Sequence, residues 1–359
     1  MFKLASILII CFLIISCKDR STNGSEELPA VPGFISAVDI SRFPDIQTSG
    51  AAFTDRNGNP GNVLEMLKDH GVNTIRLKLW VTPETEASSF EEVKDFSEEL
   101  KALGFNIWLT VHYSDTWADP GKQLLPSRWE GIGFESLKDS VYAYTSKVIT
   151  QLDPDYIQIG NEVNAGFLHP FGDISKNSEQ FIELLETGIS AVRDHSSKTH
   201  IMIHYAGIEH SGWFFDQVQS LDYDIIGISY YPIWHGKSLT NLESTMRNLS
   251  TQFDKDIVIA ETAYPFTLNW NDNTHNIVGL DEQLILPDYP ASPDGQQRFI
   301  RDIGSLINSL DRGIGMCYWG AELIAWKGTQ ATDGSPWENQ ALFDFSNRAL
   351  PVLNQFHFE

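Results

Sequence analysis

Cysteine and positive charge are both scarce in this sequence. Three cysteines occur in 359 residues, too few for a disulfide-dense scaffold. Lysine and arginine total 25 against 48 aspartate and glutamate residues, which gives a formal net charge of −23. Such a charge repels nucleic-acid phosphates and anionic membrane surfaces, so no nucleic-acid partner is expected. The sequence also lacks a glycine-rich phosphate loop after its first predicted strand, which disfavours a nucleotide-binding open sheet.

Apolar and aromatic residues, by contrast, are plentiful. Hydrophobic residues make up 42% of the chain and aromatic residues 12%, against 20% charged. This composition supports a large buried core and excludes a disordered or fibrous chain. The ten tryptophans also favour a sugar ligand, because flat indole rings stack on the apolar faces of sugars.

The amino terminus has the pattern of a bacterial lipoprotein signal. Lys3 supplies a positive start, residues 4–15 are apolar, and Ser16 precedes Cys17. The apolar run is shorter than the roughly 20 residues that span a bilayer core. Residues 14–17 resemble a lipobox, in which the cysteine is lipidated. The chain is therefore expected to divide into a signal peptide (1–16), lipidated Cys17 with a polar tether (17–32), and a folded domain (33–359).

This organisation predicts a protein that is secreted across the inner membrane of a bacterium. Its lipid would hold it at the cell envelope or cell surface, without a membrane-embedded part. The alternative is that the apolar run forms the first helix of the fold. Cys11 falls in the signal, and Cys317 lies in an apolar run without a second cysteine near it in the sequence. Cys317 is therefore expected to be a buried structural thiol.

Short apolar runs alternate with helix-period stretches along the rest of the chain. This alternation is typical of parallel strands joined by crossover helices. The predicted strands are 34–39, 74–80, 107–112, 156–160, 201–205, 225–230, 257–261 and 314–319. Eight strands predict an α/β fold of the (β/α)8 TIM barrel type, a single catalytic domain. The spacing leaves three long loops at the carboxyl-terminal face, at 114–133, 207–222 and 264–293.

Polar residues end several of these predicted strands, where a barrel of this type has its active site. They are Asp39, Arg76, His112, Tyr113, Asn161, Glu162, His204, Tyr230, Tyr231, Glu261 and Trp319. Glu162 and Glu261 follow the fourth and seventh strands, which lie across the barrel mouth from each other. Each glutamate alone could be a helix-start or solvated loop residue. Two carboxylates about 5 Å apart, however, are the machinery of a retaining glycosidase.

The chain resembles glycoside hydrolase family 53, the endo-β-1,4-galactanases. The most specific matching string is HYSDTWADP at 112–120, and further matches are RLKLW (76–80), GNE (160–162) and ETAYP (261–265). Asp224–Gly236, Tyr318–Trp319 and Asn339–Asp344 also match. Thr110, Val111 and Lys78 depart from the usual residues of the family, and these departures concern the barrel wall and fine specificity rather than the carboxylates.

The resemblance implies roles for the residues at the barrel mouth. Glu261 is expected to be the nucleophile and Glu162 the acid/base. Arg76 and Tyr230 are expected to keep Glu261 ionised, and Asn161 to bind the sugar 2-hydroxyl. The remaining predicted substrate-binding residues are Asp39, His112, Trp319 as the stacking floor, and Trp117; Trp80 and Trp234 are weaker candidates.

In bacterial members of the family a calcium ion ties the loop after strand seven to the loop after strand eight. The residues here that would hold it are Asp272, Asn273, His275, Asn276, Ser335 and Glu338. Calcium takes six to eight oxygen ligands, so backbone carbonyls or water would have to complete this set. The alternative is a plain turn-rich loop.

The sequence therefore predicts an endo-acting, retaining hydrolase of β-1,4-galactan, the side chain of pectin. The chemistry needs no cofactor, and a monomer is expected. Two alternatives stay open at this point. One is a related glycanase acting on mannan or xylan, and the other is an inactive glycan-binding lipoprotein, against which the intact glutamate pair argues.

Overall fold

Eight parallel strands close into a barrel in the computed structural model, which describes residues 33–358. Numbered in chain order, β1 to β8 are Ile35–Asp39, Thr74–Leu79, Asn106–Val111, Tyr156–Ile159, His200–Ala206, Ile225–Ser229, Asp256–Thr262 and Gly313–Trp319. Each strand pairs with its neighbours in the chain, and β8 pairs with β1 so that Asp39 lies opposite Trp319. This architecture confirms the predicted (β/α)8 barrel. The predicted signal peptide, Cys17 and the tether lie outside the described residues.

The helices pack around the barrel. Numbered α1 to α9, they are Phe43–Thr48, Val63–Asp69, Phe90–Ala102, Phe134–Leu152, Ser178–His195, Ser211–Val218, Pro232–His235, Leu239–Phe253 and Pro293–Asn308. Asn62 caps α2 and Ser292 caps α9, each accepting a hydrogen bond from a backbone N–H of the first turn. Among residues 33–358, no helix combines the length and the apolar character needed to cross a membrane.

One predicted loop is wrong. Residues 207–222 contain α6, the crossover helix between β5 and β6, rather than an open loop. The helix is short, and its Phe214, Phe215 and Val218 are buried against the barrel. The long loop predicted after β7 is present, with a single 3-10 turn at Asp281–Gln283. It contacts the loop after β8 through backbone hydrogen bonds such as Asn273 N–H to Ala331 O.

Side chains fill the barrel interior up to its carboxyl-terminal mouth. The interior apolar residues are Ile35, Ala37, Trp108, Tyr156, Met202, Ile225, Val258, Ala260 and Cys317. Cys317 is fully buried, as the sequence predicts for a structural thiol, and it forms no disulfide within residues 33–358. Its burial raises the pKa of the thiol. Because side chains alternate along a strand, the polar residues above this layer point into the mouth.

Two local irregularities present the glutamates. On β7, Ile259 lies opposite Ile228 and Glu261 lies opposite Ser229, so Ala260 is an extra residue in a β-bulge. Bulges of this kind are common beside active sites. After β4, Gly160 has a φ of +84°, and Glu162 itself has a φ of +45°. A non-glycine residue in this region is strained, and such strain is concentrated at functional sites.

Candidate active site

Glu162 and Glu261 face each other across the barrel mouth. One carboxylate oxygen from each, together with a ring nitrogen of His204, lie within 4.8 Å of one another. Retaining glycosidases hold their two carboxyl groups about 5 Å apart, whereas inverting enzymes need roughly 6.5–9.5 Å to admit a water. The separation therefore fits direct attack by one carboxylate.

Glu261 is held as the charged member of the pair. Arg76 Nη2 donates to its Oε1 over 2.6 Å, and the Tyr231 hydroxyl donates to its Oε2 over 3.0 Å. Burial raises the pKa of Glu261, and the Arg76 guanidinium and the Tyr231 hydrogen bond oppose that rise. Both oxygens of the nucleophile thus have a donor that favours the carboxylate form.

The predicted role of Tyr230 beside Glu261 is wrong. Its hydroxyl donates to the carbonyl of Gly236 over 2.8 Å, and Tyr231 occupies the position beside the nucleophile. The reason is the alternation of side chains at the end of β6. Ser229 points into the barrel mouth, so Tyr230 points outward and Tyr231 points back in.

Glu162 is held as the protonated member. Its enclosure in the cleft and the negative charge of Glu261 raise the pKa of Glu162 to about 8. Ser229 Oγ donates to Glu162 Oε1 over 2.6 Å and lies 2.8 Å from His204 Nε2. Burial and the nearby Arg76 charge keep the pKa of His204 well below its ordinary value, so this histidine is neutral. The two glutamates therefore have environments that separate an acid from a nucleophile.

Arg76 organises the floor of the site. Besides Glu261, it donates to Asp39 Oδ2 over 2.7 Å, to Asn161 Oδ1 over 3.0 Å and to Gln158 Oε1 over 2.8 Å. Gln158 was not singled out from the sequence, yet the same oxygen also accepts from Trp108 Nε1 and Thr110 Oγ1. Gln158 could have been predicted only from the alternation of side chains along β4, which directs it into the barrel. An isolated glutamine inside an apolar run belongs to no sequence motif.

A row of indole rings lines the cleft above this floor. The ring centroids of Trp117 and Trp319 are 5.8 Å apart, those of Trp319 and Trp337 4.6 Å, and those of Trp234 and Trp337 6.2 Å. Trp117 and Trp234 are more than one-third exposed. The cleft has a volume of about 480 Å³. Trp337 was not predicted as a site residue. It belongs to the loop that follows β8 in the chain, and this loop folds back so that Trp337 lines the cleft.

Comparison with known proteins identifies the family. The model of glycosyl hydrolase family 53 matches residues 35–356. The chain belongs to glycoside hydrolase family 53. It is 34% identical over 345 residues to the arabinogalactan endo-beta-1,4-galactanase of Cellvibrio japonicus, covering 89% of each chain.

Solved structures agree with the family assignment. The GH53 catalytic domain of Ignisphaera aggregans has a TM-score of 0.86 and 38% identity, with 92% of this chain and 98% of that chain covered. A structure from a study of two fungal beta-1,4-galactanases has a TM-score of 0.77 and 27% identity, with 89% of this chain and 98% of that chain covered. These findings confirm the resemblance to family 53, and the protein is a glycoside hydrolase.

The other predicted substrate-binding residues of this family 53 chain divide into two groups. Asp39, Asn161, Trp117 and Trp319 line the cleft. Arg76 and His112 are buried beneath it and reach the reacting region through other side chains. His112 Nδ1 accepts from the Ala118 N–H over 3.0 Å, and burial keeps the pKa of His112 well below its ordinary value. The same residue, Ala118, accepts through its carbonyl from Asn161 Nδ2 over 2.8 Å, so His112 contacts Asn161 through Ala118.

The predicted calcium ligands also divide. Asp272, Asn276, Ser335 and Glu338 are buried, whereas the side chains of Asn273 and His275 are exposed and do not join them. The His275 ring packs edge-on against Trp270 with centroids 4.9 Å apart. Ser335 Oγ donates to Leu323 O, which leaves it tied to the loop backbone.

Three buried oxygens of these two loops lack a donor within residues 33–358: Asp272 Oδ2 and Asn276 Oδ1 in the loop after β7, and Glu338 Oε2 in the loop after β8. The other oxygen of Glu338 accepts from the backbone N–H groups of Asn271 and Asp272. Burial raises the pKa of Glu338, and the neighbouring Asp272 charge adds to the effect. Three unpaired oxygens, two of them from carboxylates, are a donor set that fits a hard cation.

Proposed function

We propose that this protein is an endo-acting, retaining β-1,4-galactanase that hydrolyses the galactan side chains of pectin. The observation that carries the proposal is the unequal glutamate pair, with carboxylate oxygens within 4.8 Å of each other in a tryptophan-lined cleft. Membership of family 53 and the named galactanases among its relatives support the choice of substrate.

The reaction follows from the two protonation states. Glu261 attacks the anomeric carbon, and the proton on Glu162 passes to the departing glycosidic oxygen. The product of this step is a glycosyl ester of Glu261. Glu162, now a carboxylate, removes a proton from the incoming water as that water attacks the anomeric carbon and releases Glu261. Two displacements give net retention of configuration.

The aromatic row supports galactan over straighter glycans. The axial 4-oxygen of galactose makes β-1,4-galactan curve, so successive rings meet stacking faces set at different angles. The indole planes of Trp117 and Trp319 are tilted by 58° to each other, and those of Trp319 and Trp337 by 63°. A wall of this kind fits a curved chain better than a flat one.

Reducing-sugar release from galactan, mannan and xylan tests the proposal. We expect rapid cleavage of galactan with intermediate-length products in the first minutes, and little release from mannan or xylan. Faster hydrolysis of mannan or xylan would overturn the substrate but leave the two-glutamate mechanism in place. Binding of galactan without any release would favour the glycan-binding alternative.

A structural calcium ion is part of the proposal. The three unpaired oxygens of Asp272, Asn276 and Glu338 support it, with backbone carbonyls or water completing the shell. A bound ion stabilises the fold by RT ln(1 + [L]/Kd), about 2.7 kcal/mol at a hundredfold excess over Kd. Added calcium should raise the Tm of the wild type and of Asn273→Ala, but not of Glu338→Ala. A Tm indifferent to chelator and to calcium would reject the ion.

The lipid anchor and the oligomeric state complete the proposal. Cys17 is proposed to carry a lipid that holds the enzyme at the cell envelope, and its sequence context supports this. Cys17→Ser should abolish acyl-chain labelling, and labelling that persists in this variant would refute the anchor.

The enzyme is proposed to act as a monomer, since one chain supplies every residue of the cleft described above. Light scattering measures the mass in solution and tests this proposal.

A further inference from the structure

Lys78 is a buried ammonium without a hydrogen-bond partner among residues 33–358. It lies two residues after Arg76 on β2, points into the same barrel mouth and is 2% exposed. Within residues 33–358, its Nζ has neither a hydrogen-bond acceptor nor a carboxylate oxygen inside 4.0 Å. The Nζ lies 4.5 Å from the ring centroid of Trp117 and 5.3 Å from that of Trp80. Lys78 is among the residues that line the cleft, and its buried Nζ lies beneath the rings of Trp117 and Trp80 at the cleft wall.

Glu322 is a buried carboxyl group of the same cleft, and one of its oxygens has no hydrogen bond to residues 33–358. It follows β8 and is 1% exposed. Its Oε1 accepts from the Arg42 N–H over 2.8 Å, while Oε2 has no donor in the described part of the chain. The segment 39–42 links the two groups, because Ser41 Oγ accepts from the Lys78 N–H over 2.9 Å.

Burying these two groups lowers the stability of the fold unless a ligand supplies the hydrogen-bond partners that they lack. A buried polar group without a hydrogen bond destabilises the fold, and an unpaired charge does so more strongly. Burial lowers the pKa of Lys78 to about 8 and raises that of Glu322 to about 8, so both groups bear this cost in the free protein. A sugar supplies what is missing, because one hydroxyl can accept from the Lys78 ammonium and another can donate to Glu322. A hydroxyl that donates to Glu322 favours its carboxylate form over the protonated form of the free protein.

The position of the pair indicates which sugar unit it meets. Glu162 gives its proton to the departing chain, and its contacts are Ser229 and His204 on β6 and β5. Lys78 and Glu322 lie on the opposite side of the mouth, next to Asp39 on β1. They therefore flank the part of the chain that stays attached to Glu261, on the non-reducing side of the cleaved bond.

We propose that Lys78 and Glu322 form a galactosyl-binding subsite for the unit that precedes the attacked sugar. Lys78 donates to a hydroxyl of that unit, and Glu322 Oε2 accepts from one, with the Trp117 ring beside them. This inference rests on the proposed galactanase function, and it assigns these two residues to recognition of chain length rather than to bond cleavage.

Two substrates with the same leaving group test it: dinitrophenyl β-galactoside, which has one sugar, and dinitrophenyl β-1,4-galactobioside, which also fills the preceding subsite. A hydrogen bond to a charged group contributes roughly 10- to 100-fold to binding. For Lys78→Met and Glu322→Gln, the loss of kcat/KM on the bioside should exceed the loss on the monoside by at least about tenfold. Lys255→Met is the matched control, because this lysine also lies over an aromatic ring, that of Tyr223, at the other end of the barrel.

Equal losses on both substrates would overturn the subsite and make Lys78 and Glu322 positioning residues for Asp39 and Arg76. The Tm of Lys78→Met should be no lower than that of the wild type, because an apolar chain replaces a buried unpaired charge. If that variant fails to fold, Glu322→Gln decides, since an amide oxygen still accepts from Arg42. A wild-type enzyme inactive on galactan and on the bioside would instead refute the proposed function.

Discussion

Arg76 and Lys78 are two buried cations on one face of one strand, and their surroundings differ completely. The Arg76 guanidinium donates to Asp39, Gln158, Asn161 and Glu261. The Lys78 ammonium, two residues nearer the cleft, has no hydrogen-bond partner within residues 33–358. The pKa of Arg76 is raised by the carboxylates around it, whereas burial lowers that of Lys78.

The difference separates two tasks of a glycosidase cleft. A cation with all its bonds made fixes the reacting carboxylate before substrate arrives, which is the preorganisation that catalysis needs. The Lys78 ammonium, which has no hydrogen-bond acceptor within residues 33–358, gains one from the bound sugar and so contributes to substrate binding. Substitutions around the two cations should therefore affect different kinetic quantities.

The largest expected effect falls on the carboxylate that Arg76 holds. Glu261→Gln should lower kcat by roughly 10⁴-fold or more while the fold persists, because the amide has the shape of the acid but cannot attack carbon. Glu162→Gln should be nearly as severe on galactan, yet it should still give a burst of glycosyl-enzyme from a dinitrophenyl substrate that needs no proton. Either variant keeping a tenth of wild-type activity on galactan would contradict these roles.

Arg76→Lys tests whether Arg76 serves catalysis and Lys78 serves binding. The lysine keeps the charge but loses the planar fork that reaches four acceptors, so Glu261 and Asp39 are left poorly paired. We expect kcat to fall by roughly 10²–10³-fold, equally on dinitrophenyl galactoside and galactobioside. A loss concentrated on the bioside would mean that the two cations do not divide catalysis and binding as described.

The two neighbouring tyrosines give a smaller and sharper contrast. Tyr231→Phe removes a donor from the nucleophile and should lower kcat by roughly 10- to 100-fold. Tyr230→Phe removes only a bond to the Gly236 carbonyl, so kcat should change by less than about threefold, with a stability loss of about 1 kcal/mol. The reverse ranking, measured on the same galactan sample, would restore Tyr230 as the partner of Glu261.

The smallest predicted effect is on pH dependence. The first step needs protonated Glu162, whose pKa is raised to about 8, so kcat/KM should fall above that pH. The unfolded chain releases this proton near its ordinary pKa of 4.5 and the folded chain keeps it to about 8, so Glu162 lowers stability as pH rises between these values. Glu162→Gln should flatten that part of the stability profile in denaturant titrations. An unchanged slope would show that the pKa of Glu162 is not raised.

The barrel and the glutamate pair were predictable because they depend on periodic and local signals. Alternating strand and helix patterns give the topology, and parallel strands bring their carboxyl ends to one face. Glu261 directly follows an apolar run, and Glu162 follows one with only Gly160 and Asn161 between. Their positions at the barrel mouth therefore follow from the count of strands. Cys317 was predictable for a similar reason, since its neighbours in the run are apolar.

The errors and omissions concern orientation and distant chain segments. Tyr230 and Tyr231 are chemically alike and adjacent, and only the inward direction of Ser229 decides between them. Trp337 and Glu322 belong to the loop after the last strand, and nothing near them in the sequence shows that they return to residues 39–42 and 231–234. Residue type alone likewise cannot show that Lys78 lacks a hydrogen-bond partner within residues 33–358, because that depends on every segment packed around it.

The contact between β1 and β8, which closes the barrel, also determines when the enzyme becomes active during its synthesis. Asp39 on β1 meets Trp319 on β8, and Arg42 meets Glu322, across a separation of 280 residues. Contacts this far apart in the chain are slow to form, since a long loop must be ordered first. A nascent chain that already contains both glutamates still lacks the ring and the carboxylate that complete the cleft. Activity therefore arises only when the last strand has been synthesised and has docked against the first.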